Sequence, residues 1–236
     1  KHIRVAAQKG LNFLSEKTVE WQEKNNCFGC HVQGVTGEAL SVGLHNQYDV
    51  NKASLDTIFE GVLVSNGGLR TSQGHAAEGA HLRLSSRAFG GASLARYDRW
   101  VTNEYSDDLL NAAHDLLEYQ KEAGLSVGGY NAGNIASGDI QATYQSVQTW
   151  KQAYERSADN RWLTAISRAE QAIHAQVDAW HSTPPTRIQE VNFALLTLVE
   201  ANAGGNEDTV TFLKKMLLEA QHDDGYRQRR HDGGAG

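Results

Sequence analysis

Apolar positions along this chain recur at the three- and four-residue spacing of an amphipathic helix, while the strict alternation of a half-buried strand is scarce. Val5, Leu11, Leu14 and Trp21 form one such stripe and predict a first helix from Ile3 to about Lys24. A second is expected over about His31 to Leu44. A third covers Asn51 to Val64, where Leu55, Ile58, Phe59 and Val62 keep the spacing. The period then stops. Ser65 to Gly91 is glycine-rich, carries His75, His81, Arg70, Arg83 and Arg87, and reads as a long loop of the kind that serves function. Helices resume over about Ser93 to Val101 and Ser106 to Ala123. Ser106 is the expected N-cap ahead of Asp107 and Asp108, whose charges suit a helix N-terminus. Past a glycine-rich turn, Gly124 to Gly138, the pattern alternates through Asp139 to Glu155, Asn160 to Ala179, Thr186 to Asn202 and Thr209 to Gln221. This is the rhythm of stacked helical hairpins, and the fold class expected is all-α.

A faint repeat runs through the pattern. Leu116-Leu117-Glu118-Tyr119-Gln120 leads into Gly128-Gly129-Tyr130, and Leu217-Leu218-Glu219-Ala220-Gln221 leads into Asp223-Asp224-Gly225-Tyr226. Repeated helix ends of this form place helices around a common axis, although any helix ending in a glycine-rich turn would look alike.

Composition narrows the function classes. The 236 residues include two prolines, adjacent at Pro184-Pro185, two cysteines and one methionine. The net charge is −6, from 22 basic and 28 acidic residues with no long like-charged run, so nucleic acid and anionic membrane are poor partners. Apolar runs such as Phe193 to Val199 fall far short of the roughly twenty residues that span a bilayer. Two regions of one continuous domain are expected: 1–92 for the N-terminal helices and the glycine-rich loop, and 93–236 for the helical repeats.

The chemistry is concentrated at Cys27-Phe28-Gly29-Cys30-His31, which holds both cysteines and a histidine directly after the second. This is the spacing of covalent haem attachment: two thiols one helical turn apart add to the two vinyl groups, and the adjacent imidazole becomes the proximal iron ligand. Zinc could use the same three residues, but a tetrahedral site asks for a fourth ligand that no further cysteine supplies. A redox dithiol would be expected beside a βαβ pattern, which is not seen here. One haem c is therefore the expected cofactor, held by Cys27, Cys30 and His31. The sixth iron position has Met216, His45, His75 and His81 as candidates. Met216, among Phe212, Leu213, Leu217 and Leu218, also reads as core packing. A loop histidine, His75 or His81, swings onto iron more readily than one fixed in a helix. His114, mid-helix beside Asp115, is the weakest of the histidines. Arg70 and Arg83 are candidate partners for a haem propionate, with a solvated loop charge as the plain alternative. Asp223-Asp224-Gly225 lacks the alternating ligands of a calcium loop and reads as a turn.

Ile140 to Gln176 and Gln189 to Tyr226, ending in Gln221-His222-Asp223-Asp224-Gly225-Tyr226, resemble the α/α-toroid repeats of the squalene cyclase and prenyltransferase group. The stretch Cys27 to Gln33, with Ala39-Leu40 and Tyr48-Asp49-Val50, resembles a bacterial branch of that group carrying one haem-attachment motif near its N-terminus. The resemblance implies a toroid-like stack of helical hairpins, incomplete at this helix count, which a longer protein or a second chain would close. Cyclase activity is not expected, because Asp107-Asp108 and Asp223-Asp224 lack the preceding aspartate of the Asp-x-Asp-Asp acid. The later-repeat zinc ligands of prenyltransferases cannot be placed either.

The function expected is extracytoplasmic electron transfer through one covalent haem, with an export signal removed, since attachment to this motif occurs outside the cytoplasm. A redox protein or larger assembly is the expected partner. Two rivals stay open: a haem enzyme or sensor with an open sixth position, and a haem-stapled interaction subunit.

Overall fold

The computed structural model describes residues 2–25, 31–65, 68–70, 80–128, 138–185, 187–201 and 207–221, the side chains of residues 80–83 excepted. Among them are nine α-helices: α1 (His2–Asn25), α2 (Val32–His45), α3 (Lys52–Val64), α4 (Ala80–Tyr97), α5 (Asp107–Glu118), α6 (Gly138–Ser157), α7 (Asn160–Trp180), α8 (Ile188–Ala201) and α9 (Glu207–Glu219). A π-helical segment, Asp98–Thr102, continues α4. No strand occurs among the described residues, and the chain is all-α as expected. No described helix is long and apolar enough to cross a membrane.

The N-cap expected at Ser106 is present, and two further caps, at Asn51 and Asp159, start other helices. Ser106 Oγ accepts from the Leu109 amide at 3.3 Å, and Asn51 Oδ1 accepts from Ser54 at 3.1 Å. Asp159 caps α7 through the Arg161 amide at 2.9 Å. Each side chain satisfies a backbone donor that has no partner inside its own helix.

One expectation fails. The segment read as a loop through Gly91 is helical from Ala80 onward, and the helix placed at Ser93 is the second half of α4. The glycines that argued for a loop serve close packing instead. A Cβ at Gly91 would lie 2.9 Å from Thr149 Oγ1 of α6, so only glycine lets these two helices approach as they do. Arg87, buried on α4, donates to Asp115 at 2.8 Å and to the Gly68 carbonyl at 3.0 Å, anchoring the helix on both sides. The second copy of the faint repeat ends in residues 222–226, outside the described residues.

The helices form two layers. The even-numbered ones pack in series, α2 on α4, α4 on α6, α6 on α8, and the odd-numbered ones pack behind them. Successive contacts show that the even row runs parallel. Gly34 sits against Phe89 and Gly37 against Ser93, Gly91 meets Thr149 while Arg99 pairs with Glu155, and Tyr144 meets Phe193 while Lys151 pairs with Glu200. The outer helices return antiparallel: Leu11 of α1 touches Gly43 and Thr18 bonds Thr36 of α2, whereas Trp150 of α6 donates to the Ala113 carbonyl and Arg156 pairs with Asp107 of α5.

Three apolar clusters fill the seams. Leu40, Leu55, Ile58, Phe59, Leu94 and Leu109 join α2 to α5. Trp150 and Trp162 with Ala88, Leu116 and Ala165 join α4 to α7, and Ile140, Ile173, Val191 and Leu213 join α6 to α9. Burying each large side chain of this kind contributes about 1.5–3 kcal/mol.

Candidate functional site

His31 sits immediately before α2, and its ring faces an apolar cavity of about 570 Å³. Leu14, Thr18 and Trp21 of α1 form one wall, and Val32, Val35 and Thr36 of α2 form another. Phe89 of α4, Gln141 of α6 and Phe193 of α8 complete it, with Lys17 as its charged member. The walls are fixed from behind. Thr18 and Thr36 hydroxyls bond at 2.8 Å, Gln33 donates to Gln22 at 3.3 Å, and Gln22 donates to the Thr57 carbonyl at 3.0 Å, tying α1, α2 and α3 together. Phe89 presents an edge-on contact to the His31 ring, centroids 6.5 Å apart and planes at 64°. Half-burial pushes the imidazole below its ordinary pKa, toward the neutral form that binds metals.

The cavity's volume lies within the roughly 300–1,000 Å³ of small-molecule sites, which are mostly apolar with few polar groups. Cys27 and Cys30, which would carry the thioether bonds, lie outside the described residues, as does His75. His81 and Arg83 lie in the first turn of α4, the helix that brings Phe89 to His31, and their side chains are not described.

The other candidates are placed away from this cavity. His45 ends α2, about 20 Å along the helix from His31 at 1.5 Å per residue, and stacks on Trp100 with centroids 4.7 Å apart. Met216 packs beside Leu213 and Leu217 in the third apolar cluster and does not line the cavity. Arg70 is engaged with Asp108, its Nε at 3.0 Å and its Nη2 at 2.6 Å from the carboxylate. His114 lies edge-on to Trp162, 4.8 Å between centroids. Lys17, which does line the cavity, is held by Glu16 and Glu20 at 2.9 Å each, and those carboxylates raise its pKa, so it is a cation there rather than an iron ligand.

Two turns along α2 from His31 lies a feature that the residue pattern gave little sign of. Glu38 of α2, Arg96 of α4, Gln148 and Lys151 of α6, and Glu200 of α8 converge where the four inner helices meet. Arg96 Nη2 bonds Glu200 at 2.6 Å, and its Nε stands 3.8 Å from Glu38. Gln148 Nε2 donates to Glu38 at 2.8 Å, and Lys151 donates to the Glu200 carbonyl oxygen at 2.7 Å. Burial raises the Glu38 carboxyl above its ordinary range. Burial alone would raise Glu200 too, but Arg96 and Lys151 together hold it below. Tyr144, half-buried near Glu38, is pushed up to about 12, first by desolvation and then by the Glu38 charge. The one legible sign was an acid placed between Val35, Ala39 and Val42.

Among the described residues no three His, Cys, Asp or Glu side chains converge as a metal cage. The fold and the cavity define an all-α, two-layer helical protein with a histidine-faced apolar site. No family model matches the chain, and neither a curated protein nor a solved structure is significantly similar to it.

Proposed function

We propose that this chain is a monohaem c-type protein that carries single electrons outside the cytoplasm, with haem c bound through Cys27 and Cys30 and His31 as proximal ligand. The observation that carries the reading is the placement of His31. The imidazole that the Cys-x-x-Cys-His spacing nominates faces an apolar cavity of small-molecule size and is biased toward its neutral, ligating form. Bound there, the haem supplies a one-electron couple whose potential is set by axial ligation, burial and hydrogen bonding.

The chain's own groups have separate tasks in this reading. Phe89, Phe193, Leu14 and Val35 would give the macrocycle its apolar contacts, and the Thr18–Thr36 bond holds α1 against α2 so that the walls keep their spacing. Lys17 is the cation that lines the cavity and would reach a propionate only in exchange for Glu16 and Glu20, while Arg70 stands away from the cavity on Asp108. His81 and His75 are the remaining candidates for the sixth position. The parallel inner row and antiparallel outer row support an α/α-toroid-like sector as the architecture, which a further stretch of chain or a second copy would close. Its partner would be a redox protein or larger assembly.

The test is a visible spectrum of the purified protein, oxidised and reduced, before and after acid-acetone extraction and with carbon monoxide. Sharp reduced bands that survive extraction and ignore carbon monoxide are expected for the carrier. A carbon monoxide shift would move the assignment to an open-site enzyme or sensor, and the absence of covalent haem would overturn the reading.

A further inference from the structure

A polar groove of about 700 Å³ lies between α1 and the start of α3 and shares no lining residue with the His31 cavity. Asp49 is fixed toward its Asn12 end by Gln8 of α1, whose side chain donates to the Asp49 carbonyl at 2.6 Å and accepts from the Asp49 amide at 3.0 Å. Those bonds use only the Asp49 backbone, and its carboxylate has no hydrogen bond or ion pair among the described residues. Glu16 and Glu20 line the groove farther along α1 and share Lys17, at 2.9 Å from each. Lys17 itself lies outside the groove, and no described residue lining it is basic.

Between the acids stands Ser15, which lines the groove, is only 6% exposed and has no hydrogen bond from its hydroxyl among the described residues. Other buried helical hydroxyls of this protein return to the carbonyl one turn back, as Ser41 does to Gly37 at 2.7 Å and Thr149 to Gln145 at 2.9 Å. Ser15 does not, and a buried polar group without a partner is uncommon enough to mark a place for one. The Ser54 amide at the start of α3, which would favour an anion, is taken by the Asn51 cap at 3.1 Å.

From Asn12 to Glu20 the groove follows α1 for about 12 Å at 1.5 Å per residue. A bare metal ion cannot reach both ends, and no three carboxylates among the described residues converge to hold one. The three lining acids against the single charge of Lys17 repel an anion. We propose that this groove binds an extended aliphatic polyamine, with one terminal ammonium at Asp49, the other at Glu16 and Glu20, an inner amine donating to Ser15 Oγ and the methylenes lying on Val19. The site stands on the groove and its acceptors and does not rest on the haem reading.

The test titrates spermidine and magnesium chloride separately into the purified protein by calorimetry at pH 7.5 and fixed ionic strength. Spermidine is expected to saturate one site and to bind at least tenfold more tightly than magnesium. Ser15→Ala removes a hydroxyl that bonds nothing in the protein, so it should leave thermal stability at or above the parent's while weakening spermidine at least threefold. Asp49→Asn should weaken it at least fivefold. Glu104→Gln removes the same charge from an exposed position outside the groove and should leave the affinity unchanged. Folding of each variant is checked by far-UV circular dichroism. Absence of saturable spermidine binding, equal affinity for magnesium, indifference to Ser15→Ala, or a loss at Glu104→Gln as large as at Asp49→Asn would each overturn the proposal. None of these positions lines the His31 cavity, so the visible spectrum reports on the haem reading separately.

Discussion

The inner and outer rows of helices are built from different residues, although both are buried against one another. Outer helix α7 is amphipathic, with Trp162, Ala165, Ile166, Ala169, Ile173 and Val177 on its inward stripe and polar residues outside. Inner helix α6 has buried Gln141, Thr143, Gln145, Ser146, Gln148, Thr149 and Gln152 interleaved with its apolar positions, because neighbours surround it on several sides. Its threonine hydroxyls are satisfied locally, Thr143 by the Asp139 carbonyl at 2.7 Å and Thr149 by the Gln145 carbonyl at 2.9 Å, while Ser146 bonds Ser126 at 3.0 Å. Small residues on α2 and α4, such as Gly34, Gly37 and Gly91, let the inner backbones approach closely. The outer row is thus held by the hydrophobic effect acting on a stripe. The inner row is held by close fit and by paired polar groups, and it should be the more sensitive to loss of a single charge.

The sharpest way to break that contrast is Arg96→Met. The guanidinium is buried on α4 and is shared between Glu200 and Glu38, so its loss leaves Glu38 without a cation and Glu200 with Lys151 alone. Breaking a buried pair from one side costs about 3–5 kcal/mol. Denaturant unfolding of Arg96→Met should show a loss of that size. The triple variant with Glu38→Gln and Glu200→Gln should recover a good part of it, because the uncompensated charges are gone. A loss below about 1 kcal/mol in the single variant, the range of exposed ion pairs, would mean that the inner row does not depend on its charges.

The same contrast explains what could be read from the chain alone. The all-α class, the N-cap at Ser106 and the span of α7 were legible because the outer helices carry an apolar period and capping residues. The first half of α4 was not: Ser85, Ser86, Gly90 and Gly91 look like loop composition, and only contact with α2 and α6 makes them useful in a helix. At the site, the Cys27-x-x-Cys30-His31 spacing drew attention to His31, which lines the cavity. Phe89, Phe193 and Gln141, which come from three other helices, carry no local mark. The Glu38 centre was hidden for the same reason, since its four helices are brought together by tertiary packing alone.

A pH measurement sharpens the comparison next. Asp98, in the π-helical segment that continues α4, is buried and has its carboxyl raised from 3.8 to about 6, chiefly by burial, although the Ser106 amide and hydroxyl donate to it at 2.8 and 2.7 Å. The folded state therefore favours the protonated form. Its contribution to stability is fully present below about pH 4 and is lost as pH rises through about 6. At 1.36 kcal/mol per tenfold change in proton affinity, the span is on the order of 3 kcal/mol. Asp98→Asn keeps an acceptor for Ser106 and cannot ionise. The difference in unfolding free energy between the variant and the parent should thus grow in the variant's favour from pH 4.5 to pH 7.5. A constant difference across that range would show that Asp98 is solvated enough to ionise freely.

The smallest effect is expected at the exposed ion pair that ties the 68–70 segment to outer helix α5. Arg70 meets the Asp108 carboxylate in a bidentate contact, but its side chain is 53% exposed, so water already solvates much of the charge. Exposed pairs contribute about 0.2–1 kcal/mol, and good geometry puts this one near the top of that range. Arg70→Ala should lower stability by no more than about 1 kcal/mol, against the several expected at Arg96. The variant also bears on the site, because Arg70 was a candidate for a haem propionate before its pairing with Asp108 was seen. With haem bound as proposed, the visible spectrum and midpoint potential of Arg70→Ala should match the parent's, whereas Lys17→Ala, which removes the cation that lines the cavity, should move the potential. A shift at Arg70 with none at Lys17 would assign the propionate contact to the 68–70 segment and reverse the roles given to these two cations.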